Sequence, residues 1–173
     1  MKTITTSLHN ACCALVLVAA GAAWAAPGAP VSTAKAEVSF RNPAGFTEMG
    51  RSFGARTDWL DDLSSYVAKR AAPGVPDGER LIVTITDVQR AGRIEPWRHA
   101  ATDLRVVRET TPPRIDLNFQ LVAANGAVLK EGSRQLRDFA FMTSSTRHRG
   151  DPLSYEKNLI DDWVRKDFAP TPR

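Results

Sequence analysis

The sequence predicts a single α+β domain, built from a mainly antiparallel sheet of about four to five strands with two helices packed on one face, in the order β-α-β-β-β-α. Three observations predict it. Apolar and polar residues alternate strictly at residues 114–121, as they do in a strand with one buried face. Residues 57–72 repeat apolar side chains at helical spacing. Asn125-Gly126 marks a hairpin, whose two strands run antiparallel.

The N-terminal residues have the pattern of a cleaved secretory signal peptide. Lys2 is followed by an apolar run at residues 11–20 ("ACCALVLVAA") and by the small-x-small triplet "AWA" at 23–25. The run is too short to span a bilayer as a stable helix. We therefore expect residues 1–25 to be removed on export, which places the mature protein in the bacterial periplasm.

Both cysteines of the chain, Cys12 and Cys13, lie inside this predicted signal. They stand at the start of the apolar run, whereas the cysteine of a lipoprotein signal follows it, so we expect no lipid anchor and no stable membrane anchor. The mature chain then has no cysteine for a disulfide, a thiolate metal site or a nucleophile. The net charge is +4, and no run of five like charges occurs, so we expect no nucleic-acid partner.

The remaining chain is long enough for one ordinary domain. Residues 26–36 begin with small and Pro-rich sequence and predict a flexible N-terminal tail. The domain is expected to cover residues 37–168, and residues 169–173 form a C-terminal tail. Within the domain, the alternation at residues 37–40 predicts a short first strand.

The first helix is expected over residues 57–72. Thr57 or Asp58 can cap it, and Pro73-Gly74 ends it. One face carries an apolar stripe that we expect to be core, formed by Trp59, Leu60, Leu63, Val67 and Ala71.

The second half of the chain predicts the other strands and the second helix. Residues 81–88 alternate as a strand, and the strand that follows Asn125-Gly126 is expected over residues 127–141, with Gly132 as a candidate β-bulge. Asp151 is expected to cap the second helix, with Pro152 at its first position. Its buried side chains are expected to be Leu159, Ile160, Trp163, Val164 and Phe168.

In this order of elements the chain resembles the bacterial exported proteins grouped as domain of unknown function 3016. The stretches that carry the resemblance are "VSF" (38–40), "LIVTITDVQRAGRIEPW" (81–97), "DLRVVRETTPPRIDLNFQL" (103–121), "VLKEGSRQLRDFAF" (128–141) and "LSYEKNLIDDW" (153–163). The resemblance covers nearly the whole mature chain. It implies an exported protein with these domain limits, and it implies no activity.

Several chemistries lack the residues they need. After the predicted signal the histidines are His99 and His148, and neither belongs to a metal-binding spacing, so we expect no metal and no cofactor. No Gly-x-Ser-x-Gly motif is present, and Ser144-Ser145 lies in a plain polar loop. Carboxylate chemistry is harder to exclude, because Asp87, Glu95 and Asp103 flank a loop that contains an aromatic residue, as in glycosidases.

The stretch "TDVQRAGRIEPW" at residues 86–97 has two interpretations. It is a structural connection, in which acids and arginines pair with one another, or it is a recognition loop. In the second case arginines and an aromatic ring bind an anionic or carbohydrate-like ligand. The candidate ligand-binding residues are Asp87, Arg93, Glu95, Trp97, Asp103 and Arg105.

The sequence therefore predicts a periplasmic binding or accessory module of the cell envelope. Its partner is expected to be an anionic or carbohydrate-like envelope component or an envelope protein. We expect binding rather than catalysis, and we name no catalytic residue. The alternative is a small hydrolase that acts on envelope carbohydrate through Asp87, Glu95 and Asp103.

Overall fold

The computed structural model describes most of the predicted domain. The described residues are 30–51, 57–95, 105–143 and 148–168. The predicted signal peptide, the first residues of the predicted N-terminal tail and the predicted C-terminal tail lie outside them.

The strands form one large sheet and one small sheet. In chain order they are β1 (Val31–Ser32), β2 (Ala36–Phe40), β3 (Glu79–Gln89), β4 (Arg93–Ile94), β5 (Arg105–Val106), β6 (Arg114–Ala123) and β7 (Val128–Arg137). The large sheet has the order β1-β2-β3-β6-β7, and β4 pairs with β5. Neighbouring strands are antiparallel except β2 and β3, which are parallel.

The helices of the described chain are α1 (Thr47–Arg51), α2 (Asp58–Ala71) and α3 (Ser154–Phe168), with short 3₁₀ turns at Pro43–Gly45 and Ala72–Gly74. Helices α1 and α2 lie between β2 and β3 in the chain. This long crossover lets the two strands run parallel, which a tight turn cannot do. Helix α2 contacts β1 and β2, α3 contacts β6 and β7, and the two helices contact each other. The predicted α+β class is confirmed, and the parallel pair makes the sheet mixed.

The core lies between these two helices and one face of the sheet. The predicted stripe of α2 is buried, and alternate residues of β3 and β6 are buried opposite it. Trp163 of α3 is 3% exposed, as predicted for a core residue. Its ring meets those of Phe119 and Phe168 edge-on, with centroids 5.9 and 5.4 Å away. Gly132 of β7 stands opposite Phe119, and a Cβ there would lie 3.3 Å from the Phe119 ring. The missing side chain thus makes room for the aromatic cluster.

The hairpin between β6 and β7 forms where predicted, with a different turn. Gly126 has a φ of +85°, but among the described non-glycine residues only Asn42 has a positive φ, so Asn125 does not. The amide of Gly126 donates to the carbonyl oxygen of Ala123 at 2.9 Å. The turn is therefore a four-residue turn that ends in a left-handed glycine, and not a primed turn across Asn125-Gly126.

Other boundaries also differ from the prediction. Strand β1 lies within the expected tail 26–36, because it pairs with β2 and extends the domain in the N-terminal direction. Gly132 pairs in register, and the irregularities of the ladder lie between Ile85 and Asp87 and beside Leu121. Asp151 accepts from the amide of Leu153 at 2.8 Å, and α3 begins after that turn.

Candidate functional site

The connection after β3 is held by carboxylates from distant parts of the chain. Glu48 of α1 is 3% exposed and accepts a hydrogen bond from the backbone amide of Arg90 at 3.0 Å. It also forms an ion pair with Arg105 of β5. The Arg105 guanidinium donates further to the carbonyl oxygens of Ala91 and Gly92 at 3.2 and 3.1 Å. One arginine thus joins α1, the loop after β3 and β5.

A second buried carboxylate, Glu156 of α3, binds the same loop from the other side. Its Oε1 accepts from the amide of Ala91 at 2.7 Å. Burial raises the pKa of Glu156, although this hydrogen bond and the charges of Arg90 and Arg105 oppose the effect. Burial also lowers the pKa of Arg90, whose guanidinium lies 5.5 Å from the centre of the Trp59 ring. The loop is therefore fixed at both faces by charged groups that little water reaches.

A third buried carboxylate, Glu95, stands at the end of this loop. It is 3% exposed and accepts from Arg93 Nε at 3.3 Å and from Arg108 Nη2 at 3.0 Å. Arg93 is itself 46% exposed, so its pairing with Glu95 leaves much of the side chain in water. These contacts fasten the small sheet β4-β5 to the segment that leads into β6.

Asp87 lies in a separate cluster beside the irregularity in β3. It accepts from the amide and the hydroxyl of Thr47 at 2.6 and 2.7 Å and forms an ion pair with Arg114. Burial would raise the pKa of Asp87, but the Thr47 hydrogen bonds and the Arg114 charge outweigh it and hold the pKa below its ordinary value. A general acid at neutral pH needs the opposite direction.

The predicted site residues are thus brought together only in part. Arg93 contacts Glu95, and Arg105 lies opposite Ile94 in the small sheet next to them. Asp87 belongs to the cluster with Thr47 and Arg114. Trp97 and Asp103 lie outside the described residues. Where the structure describes this region, acids and arginines are paired with one another, which favours the structural interpretation of the stretch.

Sequence reasoning expected arginines to pair with these acids, but it missed the partners from distant parts of the chain. The missed members are Thr47, Glu48 and Glu156. One local signal was present for Glu156, since it lies three and four residues before Leu159 and Ile160, on the apolar face of α3. A carboxylate at such a position is buried and needs a partner.

A further charged network joins α2, α3 and the turn before α3. Asp161 accepts from the Tyr66 hydroxyl at 2.7 Å and from Arg70 Nε at 2.6 Å. His148 Nε2 lies 3.1 Å from both Asp161 Oδ2 and the Tyr66 oxygen. Burial would raise the pKa of Asp161, but these hydrogen bonds outweigh it and keep the pKa low. In the described ranges, no group of three His, Cys, Asp or Glu residues has the arrangement of a metal site.

The face of the large sheet that α2 and α3 leave uncovered in the described chain carries a polar groove of about 520 Å³. Its lining residues are Arg41, Ile82, Thr84, Asn118, Phe119, Gln120, Glu131, Gly132 and Ser133. Two hydrogen bonds between side chains of β6 and β7 hold the lining in place. Ser133 donates to Asn118 at 2.7 Å, and Gln120 donates to Glu131 at 3.0 Å. Amide and hydroxyl groups therefore project from a rigid sheet into the groove, with apolar atoms between them.

Fold and surfaces together define a single-domain α+β protein with a fixed, ion-paired loop and an open polar sheet face. Residues 34–166 match the family described as Protein of unknown function (DUF3016), and the chain belongs to this family. No curated protein and no solved structure matches the chain. Among the described residues, no helix has the length and apolar character needed to cross a membrane.

Proposed function

We propose that this protein is exported to the periplasm and acts there as a binding module for a carbohydrate-like component of the cell envelope. The binding surface is the groove on the uncovered sheet face. The observation that carries the proposal is the groove's lining, in which amides and hydroxyls lie among apolar atoms, with one arginine and one glutamate beside them. Such a surface matches the hydroxyl groups and apolar ring faces of sugars, and its strands hold the polar groups in place.

Export is supported by the pattern of the first 25 residues: one lysine, an apolar run and a small-x-small triplet. N-terminal sequencing of the protein from a periplasmic fraction tests it. We expect the mature chain to begin near Ala26. A soluble product that begins at Met1 and remains in the cytoplasm would contradict this part of the proposal.

The loop after β3 is less suited to ligand binding than the groove on the sheet face. Arg105 already donates to one carboxylate and two carbonyl oxygens, and Glu95 is buried between Arg93 and Arg108. A ligand would have to displace these contacts. The hydrolase alternative is not favoured either, because Asp87 has a lowered pKa and is bound by Thr47 and Arg114.

Binding is tested by co-sedimentation of the purified protein with peptidoglycan sacculi, using variants of the groove. Arg41→Ala and Asn118→Ala remove donors from the groove, and each should weaken binding by about tenfold, the effect of about 1.4 kcal/mol. Matched controls are Arg165→Ala on α3 and Asn125→Ala in the β6–β7 turn, which are exposed but lie outside the groove. Groove variants that sediment like the controls, with unchanged thermal melts, would refute this site.

A further inference from the structure

Strand β7 is one of the two edge strands of the large sheet, and β1 is the other. Strand β7 has ten residues, and within the described residues it pairs with β6 alone. An edge of this length presents a row of unpaired backbone donors and acceptors, and most proteins shorten or cover such edges. Val128 and Leu129 at its start are 50% and 53% exposed. The described part of the chain therefore leaves this edge available to another extended chain.

A groove of about 300 Å³ runs between this edge and helix α3. Its apolar residues are Leu136, Leu159 and Trp163, and its charged residues are Arg134, Arg137, Asp162, Lys166 and Asp167. A strand added to β7 would direct alternate side chains into this groove, because side chains alternate between the faces of a sheet.

The charges of this groove are not balanced. Asp167 is paired with both Lys130 and Arg134, and Asp162 is paired with Arg165. Arg137 donates to the uncharged amide oxygen of Gln135 at 3.3 Å. Neither Arg137 nor Lys166 forms an ion pair with a carboxylate of the described chain. The edge thus offers two cations to an acidic ligand, Lys166 on the α3 side and Arg137 on the opposite face of the sheet.

An exposed aromatic residue stands at the end of the same strand. Phe139 is 76% exposed, and it borders a notch of about 150 Å³ that includes Pro112, Pro113 and Arg137. The turn that carries Phe139 is fixed, because Phe141 is buried edge-on against Tyr155 with ring centroids 5.0 Å apart. An exposed aromatic ring on a fixed turn beside a notch is a common anchor of a protein interface.

We propose that β7 binds an extended, acidic segment of another protein as an additional antiparallel or parallel strand. The segment alternates apolar residues, which face α3, with carboxylates, which lie on the opposite face and pair there with Arg137. Lys166 lies on the α3 side and attracts the acidic segment through its charge. An apolar residue at one end packs against Phe139. This site is distinct from the groove proposed for carbohydrate, and it adds a protein partner to that function.

The test uses labelled synthetic ten-residue peptides and fluorescence anisotropy with the full mature chain. The first peptide alternates valine with glutamate and ends in phenylalanine. The second replaces each glutamate with lysine. The third keeps the charges but replaces two central valines with proline, which prevents strand pairing. We expect binding of the first peptide, and binding weaker by about tenfold or more for the other two.

Variants of the protein locate the site. Arg137→Glu/Lys166→Glu and Phe139→Ala should each weaken binding of the first peptide by about tenfold. The charge-matched control Lys69→Glu/Arg80→Glu changes two cations of the opposite half of the fold and should leave binding unchanged. Hydrogen exchange should slow in β7 when the peptide binds.

Three results would overturn the proposal. One is equal binding of the acidic and proline-containing peptides, which would indicate charge attraction without strand addition. Another is no binding of the first peptide at all. The third is a stable dimer of the chain in sedimentation that Phe139→Ala dissociates, because a second copy would then occupy the edge. Loss of sacculus binding by Arg41→Ala with intact peptide binding would separate this site from the carbohydrate groove.

Discussion

Replacing Arg105 by alanine tests whether the loop after β3 is held together by its charges or kept for a ligand. The change removes the ion pair with Glu48 and the hydrogen bonds to the carbonyl oxygens of Ala91 and Gly92. Glu48 is 3% exposed, so it would remain as a buried carboxylate. It would keep the amide of Arg90 as a donor, at 3.0 Å.

The magnitude follows from burial. Removing one partner of a buried ion pair costs about 3–5 kcal/mol, because the other charge is left uncompensated. Arg105 is 17% exposed, and Glu48 keeps one hydrogen-bond donor. Contact with water and this hydrogen bond therefore reduce the loss of stability. We therefore expect Arg105→Ala to lower the free energy of unfolding by about 2–4 kcal/mol. Arg93 is 46% exposed, and its partner Glu95 keeps Arg108, so Arg93→Ala should cost about 1 kcal/mol or less.

The assay is urea denaturation followed by tryptophan fluorescence, on the wild type, both single variants and Glu48→Gln/Arg105→Ala. The double variant should be more stable than Arg105→Ala, since a neutral amide at position 48 needs no counter-charge. The reasoning is refuted if Arg105→Ala unfolds within about 0.5 kcal/mol of the wild type, the range of ordinary surface substitutions. It is also refuted if Arg93→Ala costs more than Arg105→Ala.

Three further substitutions test the core, the pH dependence and the hairpin. Trp163→Ala should lower the free energy of unfolding by about 3–5 kcal/mol in urea denaturation, and a small effect would mean that its ring is not a core anchor. Glu156→Gln keeps an acceptor for the amide of Ala91 but cannot ionise. Because the wild-type pKa is raised above 4.5, the wild type loses stability as the pH rises from that value through the folded pKa. The variant should therefore gain stability relative to the wild type between about pH 4.5 and neutrality, and a constant difference in urea midpoints would contradict this. Gly126→Val should cost about 1–3 kcal/mol in a thermal melt, since its φ is +85°, and an unchanged melt would exclude the observed turn.

The long strands and helices could be predicted because their burial is periodic. The strict alternation in β6 and the apolar stripe of α2 each repeat over several residues, so the local sequence pattern is enough to predict these two elements. The parallel pairing of β2 with β3 could not be predicted, because a sheet with one open face gives the same alternation whichever way its strands run. Strands β1, β4 and β5 have two residues each and are too short to show a period.

The site could be predicted only in its general character. The interleaving of acids and arginines indicated ion pairs, but Arg105 pairs with a carboxylate 57 residues away in the chain. Nothing in the local sequence of either residue specifies the other. The polar sheet face was visible as the wet side of the alternation at residues 114–121. Its assembly into a groove depended on the order of strands, which the sequence pattern left open.

The position of helix α3 in the chain affects the order in which the domain can fold. The whole large sheet lies before residue 138, whereas the rings that cover Phe119 come from Trp163 and Phe168 near the end of the described chain. A growing or translocating chain can therefore complete its strands while one apolar face is still open to water. Until residue 168 has emerged, the part of that face that α3 covers stays exposed to other unfolded chains, and the domain depends on this helix to close it.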